Sequence, residues 1–210
     1  MLPESKRIEG TLRSHIQMHT SISFVYVGSR RQLLMDMFGR NRPFYGSASF
    51  LTLTVIRKED FVPYIVQKFS TSGKTCGPGT AALIYDRVSG YPSYVQRLAG
   101  LAWDMTDTEC TGDSVERAWK ALLDDTTPLF EATWTGLSPI QRRALTSLAV
   151  EPTAKPSPFE YLQRHHVPAS SMQKALEALK MLDLVEYERD WHLVDPVMAA
   201  WINSTRSTII

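Results

Sequence analysis

Residues 72–75 read Ser-Gly-Lys-Thr, the residue types that close a phosphate-binding loop. In such a loop, G-x-x-x-x-G-K-[ST] follows a strand and opens a helix. Its backbone N–H groups wrap the phosphates and its lysine neutralises their charge. The flanks argue against that chemistry here. Five residues before Gly73 stands Lys68, where the loop needs a glycine to turn tightly. The preceding stretch places Phe61, Ile65 and Phe69 at helical spacing, with Tyr64 beside Ile65, so it predicts a helix and not a buried strand. The next residues, Cys76-Gly-Pro-Gly79, read as a helix breaker where the loop needs a helix to begin. Ser-Gly-Lys-Thr is therefore read as a helix C-terminus running into a turn.

Other chemistry-bearing residues are sparse. His15 and His19 stand four apart on one predicted helix, a spacing that could hold a metal. No acidic or cysteine third ligand lies nearby, and no glutamate follows His15 as H-E-x-x-H demands. Two half-exposed histidines is the better reading. His165 and His166 fall at a helix end, where a protonated imidazole suits the dipole. Cys76 and a histidine make no nucleophile pair, because nothing in the sequence orients them. No metal site is expected.

The elements that must position these residues sit in a chain of 210 residues, 43% hydrophobic and 21% charged. That is the composition of a globular protein with one large or two small domains. No apolar run reaches membrane-spanning length, "MLPESKRIEG" has no signal-peptide core, and two cysteines make no disulfide framework. A cytoplasmic protein without a membrane partner is expected. The net charge of +1 hides an asymmetry. Residues 1–60 carry nine Lys/Arg against five Asp/Glu, residues 61–135 six against nine, and residues 136–210 eight against eight.

Residues 9–19 predict a helix through Leu12 and Ile16. "SISFVYV", 21–27, is a β-branched and aromatic run that stops at Gly28-Ser29, the pattern of a strand covered on both faces. Residues 30–38 predict a helix, and "SFLTLTVI", 49–56, a second strand. Helices fill most of 60–135. In the last third, Ser138-Pro139 is an N-cap with proline at the first helical position. A short helix is expected near 159–164, and another over 170–181 with Met172, Ala175, Leu176, Leu179 and Leu182 on one face. "LVEYERDWHLV" then predicts a hairpin turning at Arg189-Asp190. Three helices followed by a β-wing make a winged helix.

The order of "LRSHIQ", "SFVYVGSRRQLLMDMF", "RPFY" and "SGYPSYVQRL" resembles the prokaryotic, archaeal-type AAA+ ATPases, relatives of the STAND and origin-recognition ATPases. The resemblance covers nearly the whole chain. It implies a mostly α fold with an α/β remnant: part of a P-loop NTPase sheet over 1–58, a helical lid over 59–135 and a winged helix over 136–204. It also implies what is missing. Such proteins begin with a P-loop strand and helix and continue to a Walker B strand ending in Asp-Glu, whereas this chain is expected to start just after that point. The chain is then the C-terminal portion of an ATP-binding protein, with no cofactor of its own. ATP and magnesium belong to an intact member, and the partner is a missing P-loop segment or another protein.

The resemblance carries over to few residues. Ser29 and Arg30 occupy the turn after the sensor-1 strand, where a hydroxyl and a guanidinium can meet a γ-phosphate. Their bland alternative is a helix cap and a solvated side chain. Arg40 and Arg42 could be an arginine finger or face a neighbouring subunit, with plain exposure as the favoured alternative. Gly90, Pro92 and Tyr94 resemble the G-x-P element of the lid that packs against adenine and ribose. The strands at 22–27 and about 50–55 would flank the absent P-loop strand, so three outcomes are open: they pair with each other, another chain supplies the strand, or residues 1–56 are loosely ordered. A frail N-terminal third is expected.

The rival reading is a DNA-binding module, with Gln173, Lys174 and Lys180 on the recognition-helix equivalent. Glu177 on that same face, the acidic wing (Glu186, Glu188, Asp190) and the neutral charge of the last third leave no cationic surplus to hold phosphates.

Overall fold

The structure is a computed structural model and describes residues 4–28, 31–51, 53 and 55–206. The chain divides into two compact units, Met1–Leu53 and Thr54–Ile210. The second is mostly helical, whereas helix covers less than half of the described residues of the first.

The first unit holds α1 (Glu4–Gln17) and α2 (Arg31–Met37). The β-branched runs on which two strands are expected carry no strand pairing: neither 21–28 nor the described residues of 49–56 joins a ladder. A strand gains its hydrogen bonds from a neighbour, and the described residues of these segments have none. Their apolar side chains stay exposed, Val25 at 85%, Val27 at 90%, Leu51 at 86% and Leu53 at 84%. What they share is an aromatic cluster. Tyr26 packs edge-on against Phe38 and Phe44, at 5.2 and 5.5 Å between ring centroids. Phe50 meets Phe38 from its own segment at 5.5 Å.

The second unit begins with α3 (Lys58–Thr71), whose Phe61, Ile65 and Phe69 are buried as their spacing predicts. A two-residue strand, β1 (Thr75–Cys76), leads to α4 (Pro78–Arg87) and α5 (Pro92–Asp104). A matching strand, β2 (Glu109–Cys110), leads to the long α6 (Gly112–Gly136), and β1 and β2 pair in parallel. The Cys76-Gly-Pro-Gly79 stretch is thus not a breaker. Gly77 is the N-cap and Pro78 the first helical residue, where proline's missing N–H costs nothing.

Next come α7 (Pro139–Val150), α8 (Phe159–Arg164), α9 (Ala169–Met181), an antiparallel hairpin of β3 (Val185–Tyr187) and β4 (Trp191–Leu193), and α10 (Pro196–Thr205). Ser138 caps α7 through a reciprocal box with Gln141, satisfying two orphan donors at once. On α9, Met172, Ala175, Leu176 and Leu179 are buried, whereas Leu182 is 55% exposed just past the helix end. One continuous apolar core runs from Phe61 to Ile202. Where α6 meets α10, Trp134 lies edge-on to Trp201 at 5.9 Å and Arg206 covers both rings, a stacking that suits a guanidinium.

Candidate functional site

The Ser-Gly-Lys-Thr run ends α3 in a Schellman turn. Gly73, at φ +84°, takes the left-handed position that favours glycine. Its N–H donates to the Ser70 carbonyl at 3.3 Å, and the Lys74 N–H donates to the Phe69 carbonyl at 3.1 Å. The Lys74 ammonium donates to the Trp103 carbonyl at 2.7 Å and lies 3.8 Å from the centre of a Trp103 ring. A backbone folded back on its own helix offers no cradle of N–H groups, and the lysine that would meet phosphate is already held. The turn is structural.

The Gly90-Tyr91-Pro92 corner is built by two successive left-handed residues, Ser89 at φ +51° and Gly90 at φ +70°. They close α4 with N–H bonds to Asp86 and Tyr85 carbonyls at 3.1 and 2.9 Å. Gly90 is required twice over. A Cβ there would stand 2.4 Å from the Tyr85 ring, so the aromatic seats against bare backbone. Pro92 then opens α5. Further along that first turn, Tyr94 points its hydroxyl at Asp195 and donates to Oδ2 at 2.6 Å. Asp195 is the N-cap of α10, its Oδ1 accepting from the Val197 and Met198 N–H groups at 2.8 and 3.0 Å. Burial, then the Asp195 carboxylate, push the Tyr94 hydroxyl well above its ordinary value. One carboxylate therefore ties the corner of α5 to the start of α10.

Ser29 and Arg30, assigned to the turn after the first run, lie outside the described residues. Arg40 is exposed, whereas Arg42 is paired with the buried Glu9 at 3.0 Å, a commitment that holds α1 to the loop after α2. Arg13, on the same helix, donates to the Pro43 carbonyl. Gln173, Lys174 and Lys180 are exposed on α9. Gln173 donates to Glu177 Oε1 at 3.1 Å, so its amide is engaged within its own helix.

His15 and His19 are exposed, and His15 Nδ1 lies 2.9 Å from the Thr11 carbonyl. Among the described residues no three His, Cys, Asp or Glu side chains converge as a metal site would require. His165 is the C-cap of α8, as its place at a helix end suggests, but sequence spacing gives no sign of its partner. Its Nε2 lies 2.9 Å from Glu151 Oε2, and Arg164 donates to Glu151 Oε1 at 2.7 Å. These two hold the Glu151 carboxyl below the ordinary range. A cleft of about 330 Å³ opens between α3 and α5, with Phe61, Tyr64, Ala99 and Trp103 among its walls and Lys68 at its rim.

No family model matches the chain, and no curated protein matches its sequence. Solved structures do match it. The Walker-type ATPase PABY2304 of Pyrococcus abyssi superimposes with a TM-score of 0.75 over 97% of this chain at 15% identity. At that identity the likeness is one of fold. The chain spans 59% of the length of that structure. No described helix is long and apolar enough to cross a membrane.

Proposed function

We propose that this chain supplies the lid and winged-helix parts of an AAA+, STAND-like ATP-binding protein and does not bind or hydrolyse ATP by itself. The observation that carries this is the fold likeness: nearly all of this chain is accounted for by about three-fifths of a Walker-type ATPase. Nowhere does the sequence hold G-x-x-x-x-G-K-[ST]. In this reading α3 to α6 form the lid, and α7 to α9 with the β3–β4 hairpin form the winged helix.

The residues present fit only one side of the nucleotide. Pro92, beside the Gly90-Tyr91 corner, offers a flat apolar face to adenine, and Tyr94 positions that corner through Asp195 and not through ATP. Nothing described fits a triphosphate or magnesium. Lys74 is engaged, Arg42 is paired with Glu9, and phosphoryl transfer depends on placed charge. A P-loop polypeptide would supply that charge. Its strand would settle between the runs at 21–28 and 49–56, which expose β-branched side chains over the shared Phe38 ring and have no ladder partner among the described residues. DNA binding by α9 is the lesser reading.

Titration of the purified chain with a fluorescent ATP analogue and magnesium tests the proposal. No saturable binding and no phosphate release are expected. Magnesium-dependent turnover that survives further purification and disappears in Arg30→Ala overturns it.

A further inference from the structure

Cys76 and Cys110 are 34 positions apart in sequence, and nothing in their spacing marks them as a pair. The fold brings them face to face. The parallel bridge between β1 and β2 registers Thr75 with Glu109 and Cys76 with Cys110. Directly registered residues of neighbouring strands point their side chains to one side, with backbones about 4.8 Å apart. That separation lies within the Cα range a disulfide spans, roughly 4.4–6.8 Å. Both cysteines are free and buried, while Thr75 and Glu109, one residue earlier, are exposed. The pair thus sits one residue beneath the surface. Each cysteine also stands immediately before a helix N-cap, Gly77 of α4 and Thr111 of α6, where helix dipoles favour a thiolate.

We propose that Cys76 and Cys110 form a peroxide-oxidisable dithiol that closes to an intramolecular disulfide across the β1–β2 bridge. The Cys110 thiolate attacks one oxygen of hydrogen peroxide. The O–O bond breaks, and the departing hydroxide takes up a proton to become water. Cys110 is left as the sulfenic acid. The sulfur of Cys76 then attacks Cys110 Sγ. An S–S bond forms, the S–O bond breaks, and the hydroxide leaves as water with the Cys76 proton. Two thiols lose two electrons in all, and one peroxide is reduced to two waters. The order of attack follows from the pairing across the bridge. The neighbouring Cys76 thiol holds Cys110 down at about 7, while Cys110 and burial push Cys76 up. Peroxide is barely larger than water, as a pair this close to the surface requires.

The consequence is local and structural. The segment between the two cysteines contains all of α4 and α5 and the Gly90-Tyr91-Pro92 corner, so the disulfide would close that segment into one covalent loop. Such a loop restricts the unfolded chain more than the folded one. Oxidation of this pair needs no nucleotide and is independent of any ATPase role.

The test uses the reduced full chain, freed of reductant, treated with hydrogen peroxide and then denatured in an alkylating agent. Both thiols should vanish together with a mass loss of two hydrogens and no added oxygen. A non-reducing peptide map should join the Cys76 and Cys110 peptides. The thermal midpoint should rise by several degrees, returning on reduction, and the initial rate should climb as pH passes through about 7. In Cys76→Ser the Cys110 sulfenic acid, left without its resolving thiol, should be trapped by dimedone. Two thiols still alkylatable after treatment that oxidises a free thiol would overturn the proposal. So would sulfinic acid without a cross-link, or disulfides only between copies.

Discussion

Tyr94→Phe removes one oxygen from the junction of α5 and α10 and leaves the ring in place. The lost bond is short, 2.6 Å, and its acceptor is a carboxylate. Hydrogen bonds to charged groups contribute about 1.5–3 kcal/mol, roughly twice a neutral pair. Asp195 keeps its two backbone donors through Oδ1, and Tyr94 is only half-buried, so the lower part of that range applies, about 1.5–2 kcal/mol. For a chain of this length that is a fall of about 3–8 °C in melting temperature. Asp195→Ala should cost more, because it removes the helix cap as well, about another 1 kcal/mol. A double-mutant cycle by urea denaturation isolates the pair, and its coupling term should exceed about 1 kcal/mol. The pH dependence supplies an independent check. Tyr94 has a raised folded value, so its contribution is complete below the unfolded value of 10 and is lost as pH rises through the folded value. The wild type should therefore lose stability on the alkaline side more steeply than Tyr94→Phe. A coupling term near zero, or identical alkaline limbs, would refute a bond between these two side chains.

Two of the glycines in the α4–α5 region, Gly90 and Gly100, should respond to alanine with opposite sign. Gly90→Ala meets the Tyr85 ring and a left-handed backbone, and should destabilise by about 2–3 kcal/mol in urea titration. Gly100→Ala, whose Cβ meets nothing within 4 Å, should stabilise α5 by up to about 1 kcal/mol. Glu151, held low first by His165 and then by Arg164, contributes stability present above its ordinary value of 4.5. That contribution is lost as pH falls through the lowered one, so urea midpoints of Glu151→Gln should fall less on acidification than those of the wild type. An anisotropy titration with duplex DNA at physiological salt should show no tight binding, since α9 pairs Gln173 with Glu177. Sub-micromolar affinity abolished by Lys174→Ala with Lys180→Ala would make DNA the better reading.

How legible each element is in the sequence depends on where it gets its hydrogen bonds. Helices close theirs within a few residues, so local spacing suffices. Phe61, Ile65 and Phe69 on α3, the Ser138–Gln141 box on α7, and Met172 to Leu179 on α9 can all be read from one or two turns of chain. Leu182 departs from its expected burial because α9 stops before it, and periodicity does not mark its own end. Pro78 misleads for the opposite reason: the same proline that blocks a helix from behind begins one from the front. The partners that matter most to the sites are invisible in the sequence. Tyr94 with Asp195, Glu9 with Arg42, and Cys76 with Cys110 are distant along the chain, and no periodicity encodes them.

The two apolar runs before α3 show the limit most sharply. Ser21–Val27 and the run at 49–56 have the residue types of buried strands, yet type alone confers no ladder. An α-helix needs only its own residues, while each strand needs a second backbone at about 4.8 Å and a cover for its side chains. Here both runs lean on one aromatic cluster through Tyr26 and Phe50, and Val25, Val27, Leu51 and Leu53 face outward. Four large aliphatic side chains left so exposed forgo roughly 1.5–3 kcal/mol each that burial would return. A strand inserted between the runs would add two ladders of hydrogen bonds, and a layer packed on the sheet face would be needed to collect that burial. The composition of this region is that of strands, yet no backbone among the described residues pairs with either run.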